Sequence, residues 1–229
     1  RGEPVRHFSC NLPLQGVIRS LSKRRYAEPI EKSCALDVIC TSAMHHAYEN
    51  LLTALDRAPS EKAVFEALQA EARRLGFEHC AYGLRLAVPV SNPKVITLNN
   101  YPVEWQARYV EASYLQVDPS VRHGQLSQQP LVWTDEVFAS APDLWDEARD
   151  HGLRIGWAQS SLDGFGVGGM LTLWRSTEPL GARELEDKES AMRWLVQAAH
   201  LALSRFMKPR YAVQPEVPLT PREIEVLKW

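Results

Sequence analysis

The sequence predicts an α+β domain, an α-β-α sandwich with a central antiparallel sheet. Three observations carry that prediction. Apolar runs of strand length come as two adjacent pairs, helical spacing recurs before, between and after them, and the strand-helix alternation of a doubly wound sheet is missing. With 229 residues, 45% of them hydrophobic and 24% charged, the chain is long enough to bury a sizeable core.

The elements follow in order. Residues 1–42 hold no sustained period and a basic cluster at Lys23, Arg24 and Arg25, which reads as an irregular or extraneous leader. From Ala43 the spacing of Met44, Ala47, Tyr48, Leu51, Leu52 and Leu55 predicts one face of a helix that Pro59 stops. Ser60 caps a second helix, whose apolar positions Val64, Leu68, Ala72 and Leu75 lead to Gly76 at the C-terminal cap. CAYGLRLAV and KVITLNN, either side of the Pro89–Pro93 loop, predict a pair of antiparallel strands. Pro102 opens an amphipathic helix with Trp105, Tyr109 and Ala112 on one face, and Asp118-Pro119 is expected to end it. A loop-rich stretch with Trp133 and Phe138 leads to the helix PDLWDEARDHG, which begins just before Trp145 and is capped by Gly152. IGWAQSSL and GGMLTLW form a second hairpin about Asp163-Gly164-Phe165-Gly166. The longest helix runs from about Arg183 to Met207. Residues 209–218, PRYAVQPEVP, read as a proline-punctuated linker. Thr220, Pro221 and Glu223 then make a capping box for a further helix with Ile224 and Leu227 on its apolar stripe.

Composition excludes several classes. The four cysteines show no C-x-x-C and no histidine at ligand spacing, so neither a disulfide framework nor a zinc site is expected. No apolar run reaches membrane-spanning length, and the first twenty residues lack the apolar core of a signal peptide. Residues 1–42 carry a net +3 and the remainder −5, a sign that does not attract a phosphate backbone. No G-x-x-x-x-G-K loop, H-E-x-x-H motif or local nucleophile-base pair is present, so an enzyme is not expected.

The segment from Asn100 to Trp133 stands apart, because Tyr101, Trp105, Tyr109, Tyr114 and Trp133 gather around Asp118. Rings supply area, while indole N–H, phenol O–H and carboxylate supply orientation, which is what a pocket for an amphiphilic small molecule needs. Packing in an ordinary core accounts for the same aromatics equally simply.

The motifs N-Y-P-x-x-W-x-x-x-Y, V-D-P-x-V and P-x-x-W resemble the autoinducer-binding domain of LuxR-type quorum-sensing transcription regulators. LTPREIEVLKW resembles the opening of their helix-turn-helix domain. The resemblance covers about Ala43 to Trp229 and includes RRLGFEHCAYGLRL and LWDEARDHGL. It implies a binding domain over 43–208, the linker over 209–218, and over 219–229 the truncated start of a DNA-binding domain, so that this chain senses without binding operator DNA. It also implies a cytoplasmic, homodimeric receptor for an N-acyl-homoserine lactone with no cofactor. Trp105 would donate to the lactone carbonyl, Tyr101 to the amide carbonyl, and Asp118 would accept the amide N–H. Trp133 would pack on the lactone ring, Tyr109 beside the acyl chain, and Thr172 would reach the amide region. Val95, Thr97, Leu115, Val121 and Met170 would line the acyl pocket, where the bulk of Leu115 and Met170 favours short or medium chains. The ligand head has two carbonyl acceptors and one N–H donor, matching two donors and one acceptor in the cluster. A receptor of the same fold for another small molecule, or a lactone or acyl-amide hydrolase, are the alternatives.

Overall fold

Five antiparallel strands in the order β2-β1-β5-β4-β3 form the centre of the molecule. The computed structural model describes residues 48–86, 93–164, 166–211 and 220–226. The leader expected over 1–42, the start of the first predicted helix, three of the four cysteines, most of the linker and the last three residues lie outside the described residues.

Helix α1 (48–57) places Leu55 in the core, with Tyr48 and Leu51 packed against it. Leu52, expected on the same face, is 44% exposed. The buried arc is narrower than its apolar count suggests, because the helix meets the core along one edge. Helix α2 (Glu61–Arg74) starts as the sequence predicts: Ser60 Oγ accepts the Ala63 N–H, and Gly76 takes φ +90°, a left-handed conformation that suits a residue without Cβ. Strands β1 (His79–Arg85) and β2 (Val95–Asn99) pair from Ala81 opposite Asn99 to Arg85 opposite Val95. Strands β4 (Ile155–Leu162) and β5 (Gly168–Arg175) form the second hairpin, and β1 joins β5 with Gly83 opposite Met170. The glycines of that hairpin spell G-x-G-x-x-G from Gly164 to Gly169, but they connect two antiparallel strands and lead into no helix that would hold a pyrophosphate.

The stretch between the hairpins is more structured than its sequence suggests. Helix α3 (Val103–Glu111) ends before Asp118, and a 3₁₀ turn (Tyr114–Gln116) follows. Asp118-Pro119 then begins a helix rather than ending one: α4 (Pro119–Leu126) has Asp118 as its N-cap and Pro119 in the first turn. Proline disfavours helix in the residue before it, and that same restriction gives the cap residue its extended backbone. The loop-rich stretch contains a short edge strand, β3 (Leu131–Val132), and a helix, α5 (Asp135–Phe138), capped by Thr134. Helix α6 (Pro142–Asp150) closes that side.

The sheet separates two environments. Cys80, Tyr82, Leu84, Trp157, Leu171 and Leu173 point into a closed apolar core under α2 and the long helix α7 (Ala182–Tyr211), where Met192, Leu195, Ala199 and Leu203 are buried. Their alternate neighbours face the other side, where α3, α5 and α6 build a second cluster around Trp105, Phe138, Trp145 and Trp174. Helix α7 extends three residues into the expected linker and contains Pro209. Its last turns are tied down by Arg205 donating to the Leu55 and Ala58 carbonyls, by Lys208 paired with Asp163, and by Arg210 with Glu61 at 2.6 Å, which offsets the hydrogen bond that proline forfeits. Helix α8 (Pro221–Val226) shows the reciprocal capping box, with the Thr220 N–H on Glu223 Oε2 at 2.8 Å.

Candidate functional site

Between the sheet and the layer of α3, α4 and α6 lies a cavity of about 730 Å³. All eleven residues singled out from the sequence line it: Val95 and Thr97 from β2, Tyr101 from the link between β2 and α3, Trp105 and Tyr109 from α3, Leu115, Asp118 and Val121 from the 3₁₀ turn, the N-cap and the first turn of α4, Trp133 after β3, and Met170 and Thr172 from β5. Tyr114, from the same aromatic concentration, does not line the cavity. It packs behind Trp105 at a ring separation of 6.0 Å and belongs to the core.

Asp118 organises one wall. Its Oδ1 accepts the Ser120 N–H at 2.8 Å, the Ser120 hydroxyl at 2.7 Å and the Val121 N–H at 3.4 Å, which satisfies the first turn of α4. Its Oδ2 accepts the Tyr109 hydroxyl at 2.8 Å. With one donor on Oδ2 against three on Oδ1, Oδ2 has room to accept a further donor. Burial, and then the neighbouring Asp118 charge, push the Tyr109 phenol far up, and burial does the same for Tyr101. Both phenols are therefore neutral donors at any physiological pH.

Trp105 is 2% exposed and meets Tyr109 edge-on at 5.7 Å. Trp133 sits at the sheet edge, edge-on to Phe138 and Trp145, and its buried Nε1 has no acceptor among the described residues. Its ring lies directly on the Gly156 backbone, where a Cβ would fall inside the indole. Arg108 spans from α3 to Glu147 of α6 at 2.6 Å and holds that carboxyl down to about 2, fixing the two helices that carry the upper wall.

Sequence reasoning missed several contributors. Phe138, Leu144 and Trp145 line the cavity, as does Ser120, which the N-cap pattern after Asp118 marks once α4 is recognised. Gly124 and Gly156 leave room for the side chains of Met170 and Trp133, a closeness that only the three-dimensional contacts reveal. Among the described residues that line the cavity there are serine and threonine hydroxyls but no histidine or cysteine. The Cys80 thiol is buried on the opposite face and pushed up to about 12, and no group of His, Cys, Asp and Glu able to hold a metal occurs among the described residues.

An apolar cavity with a few convergent polar groups, roofed by helices and floored by an antiparallel sheet, defines a small-molecule receptor domain. The family described as the autoinducer binding domain matches residues 60–203. The chain is 43% identical to the transcriptional activator AnoR of Acinetobacter nosocomialis over 183 residues, 79% of this chain and 77% of that protein. It is 31% identical to the quorum-sensing regulator RhlR of Pseudomonas aeruginosa over 182 residues, 80% of this chain and 75% of that protein. Among solved structures, the LuxR-family factor CepR2 of Burkholderia cenocepacia superposes with a TM-score of 0.64 at 35% identity, covering 73% of this chain and 96% of that one. SdiA of Escherichia coli gives 0.67 at 30% identity, covering 81% and 78%. The chain belongs to the LuxR-type quorum-sensing transcription regulators, and its sheet domain is their autoinducer-binding domain. These relatives are regulators, not enzymes.

Proposed function

We propose that the cavity binds an N-acyl-homoserine lactone. The observation that carries this reading is the convergence of Tyr101, Trp105 and Asp118 on a cavity that is otherwise largely apolar. The Trp105 indole N–H would donate to the lactone carbonyl, the Tyr101 hydroxyl to the amide carbonyl, and Asp118 Oδ2 would accept the amide N–H beside Tyr109. Trp133 would lie against the lactone ring and Thr172 would reach the amide from the floor. The acyl chain would run past Val95, Thr97, Leu115, Val121 and Met170. Binding would take place in the cytoplasm and would favour a homodimer through α7, where Leu201 stands 71% exposed on a helix whose other face is buried. DNA contact would belong to the C-terminal domain that opens with α8.

A second reading keeps the cavity and changes the ligand. SdiA has been solved in complex with octanoyl-rac-glycerol, an acyl compound without a lactone ring. Titration separates the two. N-octanoyl-homoserine lactone should bind more tightly than its ring-opened acid, whose added carboxylate would be desolvated beside Asp118, and more tightly than octanoyl glycerol. Equal affinity for all three, or none for the lactone, would overturn the proposal.

A further inference from the structure

The cavity floor is built almost wholly from small residues. On β1 and β5 the positions facing it are Ala81, Gly83, Arg85, Gly168, Met170 and Thr172, and on β4 Ser160 stands opposite Met170. Two of them are long: Arg85, at the exposed end of β1, and Met170, in the middle of the floor. Its thioether leans towards α4, into the space left by Gly124: a Cβ at 124 would come within 2.8 Å of Met170 Sδ and 3.6 Å of its Cγ. That separation is shorter than real Cβ atoms tolerate, so any other residue at 124 must push the sulfur away from α4. The flexible end of a methionine yields readily, and the way open to it lies over Gly83, its cross-strand partner, which presents no side chain.

We infer that Gly124 is a specificity-determining residue: by giving Met170 a resting place against α4, it keeps the floor clear and so sets how long an acyl chain the cavity accepts. Gly124 touches no part of the lactone head in this account. It acts only through Met170. The inference rests on the acyl-homoserine lactone reading above and deepens it. Each methylene denied burial lowers affinity about fourfold, so a sulfur swung across the path by the length of one or two methylenes weakens long-chain ligands by about tenfold and leaves short ones nearly unchanged.

The test uses the protein purified with N-octanoyl-homoserine lactone, challenged in competition by the N-butanoyl and N-dodecanoyl homologues. Gly124→Ala should lower the affinity for the dodecanoyl lactone about tenfold relative to the butanoyl lactone. Met170→Ala alone should shift preference towards the dodecanoyl lactone. In the double variant, with no thioether to displace, the penalty of Gly124→Ala should vanish. An unchanged chain-length profile in Gly124→Ala overturns the inference while leaving the lactone reading intact. A penalty that persists in the double variant also overturns it, because the new methyl would then act by its own bulk. Failure of the parent protein to hold any of the three lactones overturns both.

Discussion

Asp118 closes the first turn of α4 with one oxygen and meets Tyr109 with the other, so fold and ligand binding respond differently when it is changed. Asparagine keeps a carbonyl oxygen for the cap and offers its amide to the Tyr109 hydroxyl. Asp118→Asn should therefore alter unfolding free energy by less than about 1 kcal/mol, yet lose about 1.5–3 kcal/mol of ligand affinity, roughly ten- to 150-fold, with the charge-assisted bond to the amide N–H. Trp105→Phe retains most of the ring and removes the N–H, and should cost about 1–3 kcal/mol, roughly five- to 150-fold in affinity. Ligand titration beside a denaturation curve for each variant checks both. Packing without recognition predicts the opposite, stability lost and affinity kept. Gly156→Ala acts by bulk alone. Its methyl collides with the Trp133 indole, and overpacking of this kind should destabilise the domain by about 1–3 kcal/mol and weaken binding by moving the ring, both visible in the same two measurements.

Among the elements, α7 is anchored to β5 and α2 through a clasp centred on the buried Arg175. Arg175 donates to both oxygens of Glu184 at 2.8 and 2.7 Å and to the carbonyls of Glu178 and Pro179, while Lys188 joins Glu184 to the Leu75 carbonyl. The hydrogen bonds from Arg175 hold the Glu184 carboxyl down to about 2. A carboxyl depressed in the folded state contributes its stability above the ordinary value near 4.5 and loses it as pH falls towards 2. Glu184→Gln should thus lower stability at pH 7 by about 2 kcal/mol and flatten the fall in stability between pH 5 and pH 2, as urea denaturation across that range would record. Periodicity made α2, the two hairpins and α7 legible, because each has a long apolar stripe or alternation. It failed on α4 and β3. Their eight and two residues are too short for a period to register, and Asp118-Pro119 carries the same local signal whether a helix stops before it or starts after it. The aromatics around Asp118 were legible as a cluster of the right chemistry, but burial and pocket lining make the same demands on a sequence. Trp105 and Tyr114, both buried and stacked together, fall on different sides of that line only in three dimensions.

One face of the sheet is a filled core and the other encloses the cavity, so a ligand held there covers apolar surface contributed by both the sheet and the helices above it. Ligand bound only to the folded state should raise stability by about 2.7 kcal/mol at one hundred times its dissociation constant, a rise of about 5–10 °C in the thermal midpoint for a domain of this size. A midpoint that stays put at saturation would contradict coupling of binding to folding. Whether an acyl-homoserine lactone occupies this cavity is read by expressing the protein with and without a mixture of such lactones, denaturing the purified domain, and analysing what it releases by mass spectrometry. One intact lactone per domain should be recovered, and only from the supplemented preparation. Recovery of no lactone, or of the same unrelated small molecule from both preparations, would contradict it.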